Sequence, residues 1–141
     1  MSLRQRWGAQ PILVRCGLLA YAIGFIVGTR AHVAYLISGG LHAYSAFGPV
    51  PVQVFFHLLL IADPIVVVLV LLARPVGIWL GLVVMVLDLA ANVFANRSAI
   101  AHDWWWLVRP TGMLLLTFFG LFVFGTAIPL ARRLPAGSPV G

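Results

Sequence analysis

The chain has 141 residues, of which 62% are hydrophobic and only 9% are charged, whereas about a quarter of the residues of a soluble domain are charged. This composition excludes a soluble globular domain and predicts one membrane domain over residues 1–141. The formal net charge of +6 comes from nine arginines and three aspartates, and because the arginines flank apolar segments they indicate membrane topology rather than nucleic-acid binding.

The first apolar segment follows a short basic lead-in, residues 1–10. It predicts a helix over 12–37, which ends at the breaker Ser-Gly-Gly of 38–40. The apolar run is too long for the hydrophobic region of a signal peptide, and Arg30 lies where a cleavage site would fall. We therefore expect an uncleaved membrane helix with Arg30 in its last third.

The second and third apolar segments predict a helical hairpin. The second helix is expected over 51–73, with Asp63 near its middle and a kink at Pro64, which cannot donate a helical hydrogen bond. A tight turn at 74–75 leads directly into a third helix over 76–97.

Polar residues form one stripe on the third predicted helix. Asp88, Asn92 and Asn96 are four residues apart, so they fall along one helical face. Gly77 and Gly81 extend that face with small residues, while the other faces carry Leu, Val, Ile and Phe. Such a stripe is expected to face protein or water rather than lipid.

The last apolar segment follows a short loop, 97–103, in which Asp103 is a candidate helix N-cap. The three tryptophans of 104–106 are typical of an aromatic belt at the membrane surface. The fourth helix is predicted over 104–131 with a kink at Pro110, or else begins at that proline. A basic tail rich in Pro, Gly and Ser follows it.

These segments predict an all-α, four-helix integral membrane bundle, a multi-pass protein of the plasma membrane of a bacterium. Six arginines fall near the helix ends on one side of the membrane: Arg4, Arg6, Arg15, Arg74, Arg132 and Arg133. Three fall on the other side: Arg30, Arg97 and Arg109. Because positive residues concentrate on the cytoplasmic side, we expect both termini to be inside.

Five polar residues of the predicted helices lie between about 8 and 20 Å below the outer surface: Arg30, His57, Asp63, Asp88 and Asn92. With Asn96 nearer the outer end of the third helix, they form a candidate site for a ligand or a proton that comprises Asp63, Asp88, His57, Asn92, Arg30 and Asn96. A carboxylate at this depth is expected to be protonated, paired or in contact with water, and Arg30 is at a suitable depth to pair with Asp88. Alternatively, that pair and the asparagines only fix the packing of the helices.

Four histidines share the predicted outer side and are weak candidates for metal ligands or haem ligands: His32, His42, His57 and His102. Neither HxxxH nor HxxEH spacing occurs, CxxCH is absent, and the single cysteine, Cys16, excludes a CxxC pair. We therefore expect no cofactor and no metal, with the histidines near lipid headgroups or loop backbone.

Two pairs of glycines at GxxxG spacing permit close approach of helices: Gly24 with Gly28, and Gly77 with Gly81. We interpret them first as packing sites within the chain and second as a dimer interface. The expected partners are the lipid bilayer and either further copies of the chain or a larger membrane complex.

The function predicted from these features is binding or translocation of a small ligand or proton through a polar cleft that opens outward. One alternative is a non-catalytic accessory or anchor subunit of a larger membrane complex, which could be linked to redox chemistry, haem or quinone. A second alternative is a lipid-modifying enzyme that uses the aspartates and His57 as acid and base. The accessory role requires the polar stripe to face an external surface, whereas the binding role requires it to face the interior of the bundle.

Overall fold

The computed structural model describes residues 2–135, and the regular structure of this range is helical. Its α-helices are α1 (Leu3–Gly8), α2 (Ile12–Gly39), α3 (Val50–Leu71), α4 (Pro75–Ala95), α5 (Arg97–His102) and α6 (Leu114–Arg133). Short 3₁₀ helices occupy Gly40–His42, Ser45–Phe47 and Trp104–Val108. The predicted tail beyond residue 135 lies outside the described residues.

Four of these helices, α2, α3, α4 and α6, are long and apolar enough to cross a membrane. The predicted four-helix membrane bundle is therefore confirmed, and the chain is a multi-pass membrane protein. The predicted bounds of the first three spans differ from α2, α3 and α4 by one or two residues. The first span ends at Gly40, whose φ of 58° L side chains rarely adopt.

The fourth spanning helix begins later than predicted. Residues Trp104–Val108 form a separate 3₁₀ helix, and α6 starts only at Leu114. Pro110 cannot continue a helix from Trp106, because it lacks the N–H that would bond to that residue's carbonyl. That carbonyl instead accepts from the backbone N–H of Met113 at 3.0 Å. Asp103 does act as a cap, since its side chain accepts from the backbone N–H of Trp105, but it caps the 3₁₀ helix.

The helices are arranged in the order α2, α3, α4, α6 around the bundle, with α2 also touching α6. The predicted hairpin of α3 and α4 turns at Ala73, whose φ is 50°. α3 continues as one helix through Pro64. The largest fully buried side chains are Tyr21, Tyr44, Phe56, Leu18, Leu59 and Ile78.

All four GxxxG glycines pack against other parts of the same chain. A Cβ added at Gly77 would lie 2.8 Å from the backbone of Leu69, so this glycine lets α3 and α4 approach closely. Gly81 faces Val66 and Phe25, while Gly24 faces Phe119 and Gly28 faces Asp63. Their role in packing within the chain is thus confirmed.

The bundle has two different ends. The hairpin end comprises α1, the turn at 72–74 and the last turn of α6, whereas the loop end comprises residues 40–49 and 96–113. At the hairpin end, the indole N–H of Trp7 donates to the carbonyl of Leu71 at 2.7 Å, which ties α1 to the end of α3. Arg15 extends to the same end, where it donates to the carbonyls of Gly8 and Gln10.

Candidate functional site

A cavity of about 480 Å³ lies between α2 and α6, in the half of the bundle nearer the loop end. α3 and α4 provide its remaining walls. Twenty residues line it: Gly24, Phe25, Val27, Gly28, Ala31, His32, Tyr35, Tyr44, Phe47, Phe56, Asp63, Met85, Asp88, Asn92, Pro110, Gly112, Met113, Leu115, Leu116 and Phe119. Most are apolar or aromatic, and two are carboxylic acids.

Asp63 is a buried carboxylic acid in the wall of the cavity. Its residue surface is only 4% exposed, and the structure gives its carboxyl no salt bridge and no hydrogen bond within residues 2–135. Gly28 on α2 makes room for it, because a Cβ added there would lie 2.9 Å from Asp63 Oδ2. A buried carboxyl without a partner is uncommon in proteins and marks a functional candidate in a membrane.

Asp88 lines the cavity from α4, and its carboxyl accepts a hydrogen bond from a residue one helical turn later. The side-chain amide of Asn92 donates to Asp88 Oδ1 at 2.8 Å and to the Asp88 backbone carbonyl at 3.0 Å. This geometry follows from the four-residue spacing along one face of the helix. Asp88 and Asn92 therefore present a fixed polar pair to the cavity.

An aromatic cluster covers the cavity towards the loop end. Tyr44 inserts between the helices, where its hydroxyl lies 2.8 Å from Nδ1 of His32, and both residues are buried. Its ring stacks on Phe56 at a centroid distance of 5.1 Å. Burial, with smaller contributions from Tyr35 and the two cavity aspartates, raises the pKa of Tyr44 to about 12. The phenol is therefore protonated near neutral pH and can donate to His32.

The seam between α2 and α6 is closed on one side of the cavity and open on the other. Towards the hairpin end, the hydroxyl of Tyr21 donates to the carbonyl of Val123 at 3.1 Å. Phe25 and Phe119 also meet there edge to face at 5.4 Å. Towards the loop end, cavity-lining side chains of both helices are exposed to the outside of the bundle: Val27, Tyr35 and Leu115. The cavity thus opens sideways between α2 and α6.

The structure brings three of the predicted site residues together: Asp63, Asp88 and Asn92. Arg30 is not among them. It is exposed, and it lies two residues after the cavity-lining Gly28, about 200° around a helix of 3.6 residues per turn. The predicted Arg30–Asp88 pair is therefore not formed, and the single salt bridge within residues 2–135 joins Arg109 to Asp103.

His57 and Asn96 lie beside the cavity rather than in its lining. His57 Nδ1 is 2.8 Å from the carbonyl of Gln53 one turn earlier, and its ring meets Tyr44 edge to face. Its Nε2 is buried and has no hydrogen-bond partner in the described part of the chain. Asn96 donates to the carbonyl of Asn92 and accepts from the indole N–H of Trp106. Asn96 thus joins α4 to the 3₁₀ helix that follows α5.

The four histidines do not gather. Within residues 2–135, no group of three or more His, Cys, Asp or Glu side chains could hold a metal ion. His32 bonds to Tyr44, while His42 and His102 are exposed at the loop end. His32 and His57 both contact Tyr44, whereas His42 and His102 lie apart from them on the surface.

Several contributors to the cavity were not identified from the sequence. Tyr44 and Phe47 belong to residues 41–50, for which the sequence predicts a short loop or an interfacial segment, yet both line the cavity. The aromatic residues of this ten-residue connection could have indicated that it is buried, because a loop that faces solvent is usually polar. Phe119 could not be identified as a cavity residue either, because the sequence does not distinguish it from the other phenylalanines of α6.

Comparison of the chain with protein-family models, curated proteins and solved structures finds no match. Function is therefore inferred from the cavity and the side chains that line it. The chain is a four-helix membrane protein with a sideways-opening cavity that holds two carboxylic acids.

Proposed function

We propose that the protein binds a small organic cation with an apolar body in the cavity between α2 and α6. The observation that carries this proposal is Asp63, which is 4% exposed, lines the cavity and lacks a hydrogen-bond partner in residues 2–135. A cationic group placed beside this carboxyl would supply the missing partner.

The charges around the cavity support this ligand class. No arginine lines it. At the loop end, Arg109 pairs with Asp103, while Arg97 lies over the ring of Phe94 and donates to its carbonyl. An ionised carboxyl without a positive partner is costly in a low-dielectric environment, so either a proton or a bound cation must neutralise Asp63. Asp63 would then be protonated in the empty cavity and ionised when the cationic ligand is bound.

The shape and lining of the cavity support an apolar body attached to the cationic group. Its volume of about 480 Å³ lies within the usual range of ligand pockets. Aromatic side chains attract organic cations, and Phe25, Phe56 and Phe119 are among the residues that line the cavity. Because the opening lies between two membrane helices, such a ligand would enter from the apolar part of the bilayer.

The orientation of the polar stripe favours a binding role over an accessory role. Asp88 and Asn92 line the bundle's own cavity rather than an external surface. The alternative of a lipid-modifying enzyme receives less support, because His57, its proposed acid or base, does not line the cavity.

The test uses two probes of nearly equal size and opposite charge, tetraphenylphosphonium and tetraphenylborate. Binding to protein in lipid nanodiscs would be measured by equilibrium dialysis, with empty nanodiscs as the blank. We expect the phosphonium to bind saturably and the borate not to do so. Asp63→Asn should weaken phosphonium binding by about tenfold or more, because it removes the attraction between the carboxylate and the cation.

The matched control is Asp103→Asn, which removes the same charge outside the cavity. It should bind the phosphonium like the wild type. Equal binding of both probes, or equal loss in the two variants, would contradict the proposal. Folding of each variant would be checked by size-exclusion chromatography and thermal unfolding.

A further inference from the structure

A second recess, of about 180 Å³, lies at the hairpin end, far from the cavity. Its lining consists of Leu3, Arg6, Leu72 and Arg74. These residues come from two parts of the chain that the hydrogen bond between Trp7 and Leu71 holds together. Two arginines and two leucines thus line one recess at the end of the membrane spans.

The guanidinium groups of this recess lack acidic partners. Nη1 of Arg6 is buried and has no hydrogen-bond partner within residues 2–135. Arg74 is exposed and forms no salt bridge in that range. The three acidic residues of the chain lie elsewhere, since Asp63 and Asp88 line the cavity and Asp103 pairs with Arg109. The buried Nη1 of Arg6 therefore requires an acceptor that residues 2–135 do not supply.

We propose that Arg6 and Arg74 form a binding site for the phosphate group of an anionic membrane lipid. The planar fork of each guanidinium matches two phosphate oxygens, and basic pockets at helix ends bind such headgroups. Leu3 and Leu72 are 48% and 36% exposed, which gives the first methylene groups of an acyl chain an apolar surface. This site is independent of the ligand proposed for the cavity.

The experiment compares lipid binding to the full chain in detergent by native mass spectrometry and thermal unfolding. The lipids are phosphatidylglycerol, which is anionic, and phosphatidylcholine, which carries a phosphate but is neutral overall. We expect selective binding of phosphatidylglycerol, with its apparent dissociation constant raised about tenfold or more in Arg6→Gln and in Arg74→Gln. Because Arg74 is exposed, its variant tests the site even if Arg6→Gln fails to fold.

Arg4→Gln is the matched control, since Arg4 lies on the same helix α1, is exposed and does not line the recess. It should bind phosphatidylglycerol like the wild type. Equal weakening in all three variants would overturn the proposal in favour of a general attraction between this end and anions. Stabilisation by inorganic phosphate as large as that by phosphatidylglycerol would assign the site to a soluble anion instead. Equal binding of the two lipids would also overturn it.

Discussion

The contact between Gly28 and Asp63 provides a test of the cavity that separates binding from folding. In Gly28→Ala, the new Cβ would lie 2.9 Å from Asp63 Oδ2, so the carboxyl must move by a few tenths of an ångström. A carboxyl at the end of a side chain can do so at a cost of about 0.5–1.5 kcal/mol. Alanine is favoured over glycine in a helix by about 1 kcal/mol. The two effects oppose each other, so we expect stability to stay within about 1 kcal/mol of the wild type.

Ligand affinity should fall even though stability does not, because the displaced carboxyl of Asp63 no longer holds its oxygen where the ligand's cationic group would contact it. A hydrogen bond to a charged group contributes about 1.5–3 kcal/mol and depends on its geometry. Because tetraphenylphosphonium has no hydrogen-bond donor, the probe for this variant is 2-phenylethylammonium, whose N–H groups can donate to the carboxyl of Asp63. We expect its affinity to fall about tenfold in Gly28→Ala, measured by equilibrium dialysis beside thermal unfolding in the same lipid nanodiscs.

The control for this variant is Gly125→Ala on α6, where an added Cβ meets no atom within 4 Å. It should gain a little stability and bind 2-phenylethylammonium with unchanged affinity. Unchanged affinity in Gly28→Ala, or a loss of stability above about 3 kcal/mol, the upper range for overpacking, would refute the reasoning.

Two further predictions concern the loop end and the topology. Because the pKa of Tyr44 is raised from 10.0 to about 12, the unfolded chain loses this proton first, so stability should fall as the pH rises through that interval. Tyr44→Phe should lose this part of the pH dependence in denaturation measurements, and it also loses the hydrogen bond to His32. A pH profile of stability that is the same in the variant and the wild type would contradict the pKa shift. In a background without Cys16, Ser98→Cys should react with an impermeant thiol reagent from outside intact cells and Ser2→Cys only from inside. Reaction of both from one side would overturn the topology.

The sequence was sufficient to predict the elements of the bundle, because each depends on local chemistry. An apolar run of about 20 residues predicts a span wherever it occurs. The short connection at 74–75 left the α3–α4 hairpin as the natural arrangement. The spacing of Asp88 and Asn92 likewise placed both on one face of α4, which is the face that lines the cavity.

The sequence was not sufficient to predict which side chains meet across helices. Depth along the membrane made Arg30 a plausible partner of Asp88, but contact also depends on how each helix is rotated about its axis. Gly28, two residues earlier, faces the cavity, so Arg30 points away from it. The insertion of Tyr44 depends on the packing of α2 against α3, which no local pattern encodes.

The hydrogen bond between Tyr21 and Val123 has a consequence for what the cavity can do. Together with the contact of Phe25 and Phe119, it makes the cavity a dead end towards the hairpin side. In this conformation, a ligand must leave by the opening through which it entered. Transport across the membrane would require a second conformation, as in alternating access. In that conformation these contacts between α2 and α6 would be broken and the cavity would be closed towards the loop end. A protein confined to the present conformation would instead capture its ligand and return it to the same leaflet.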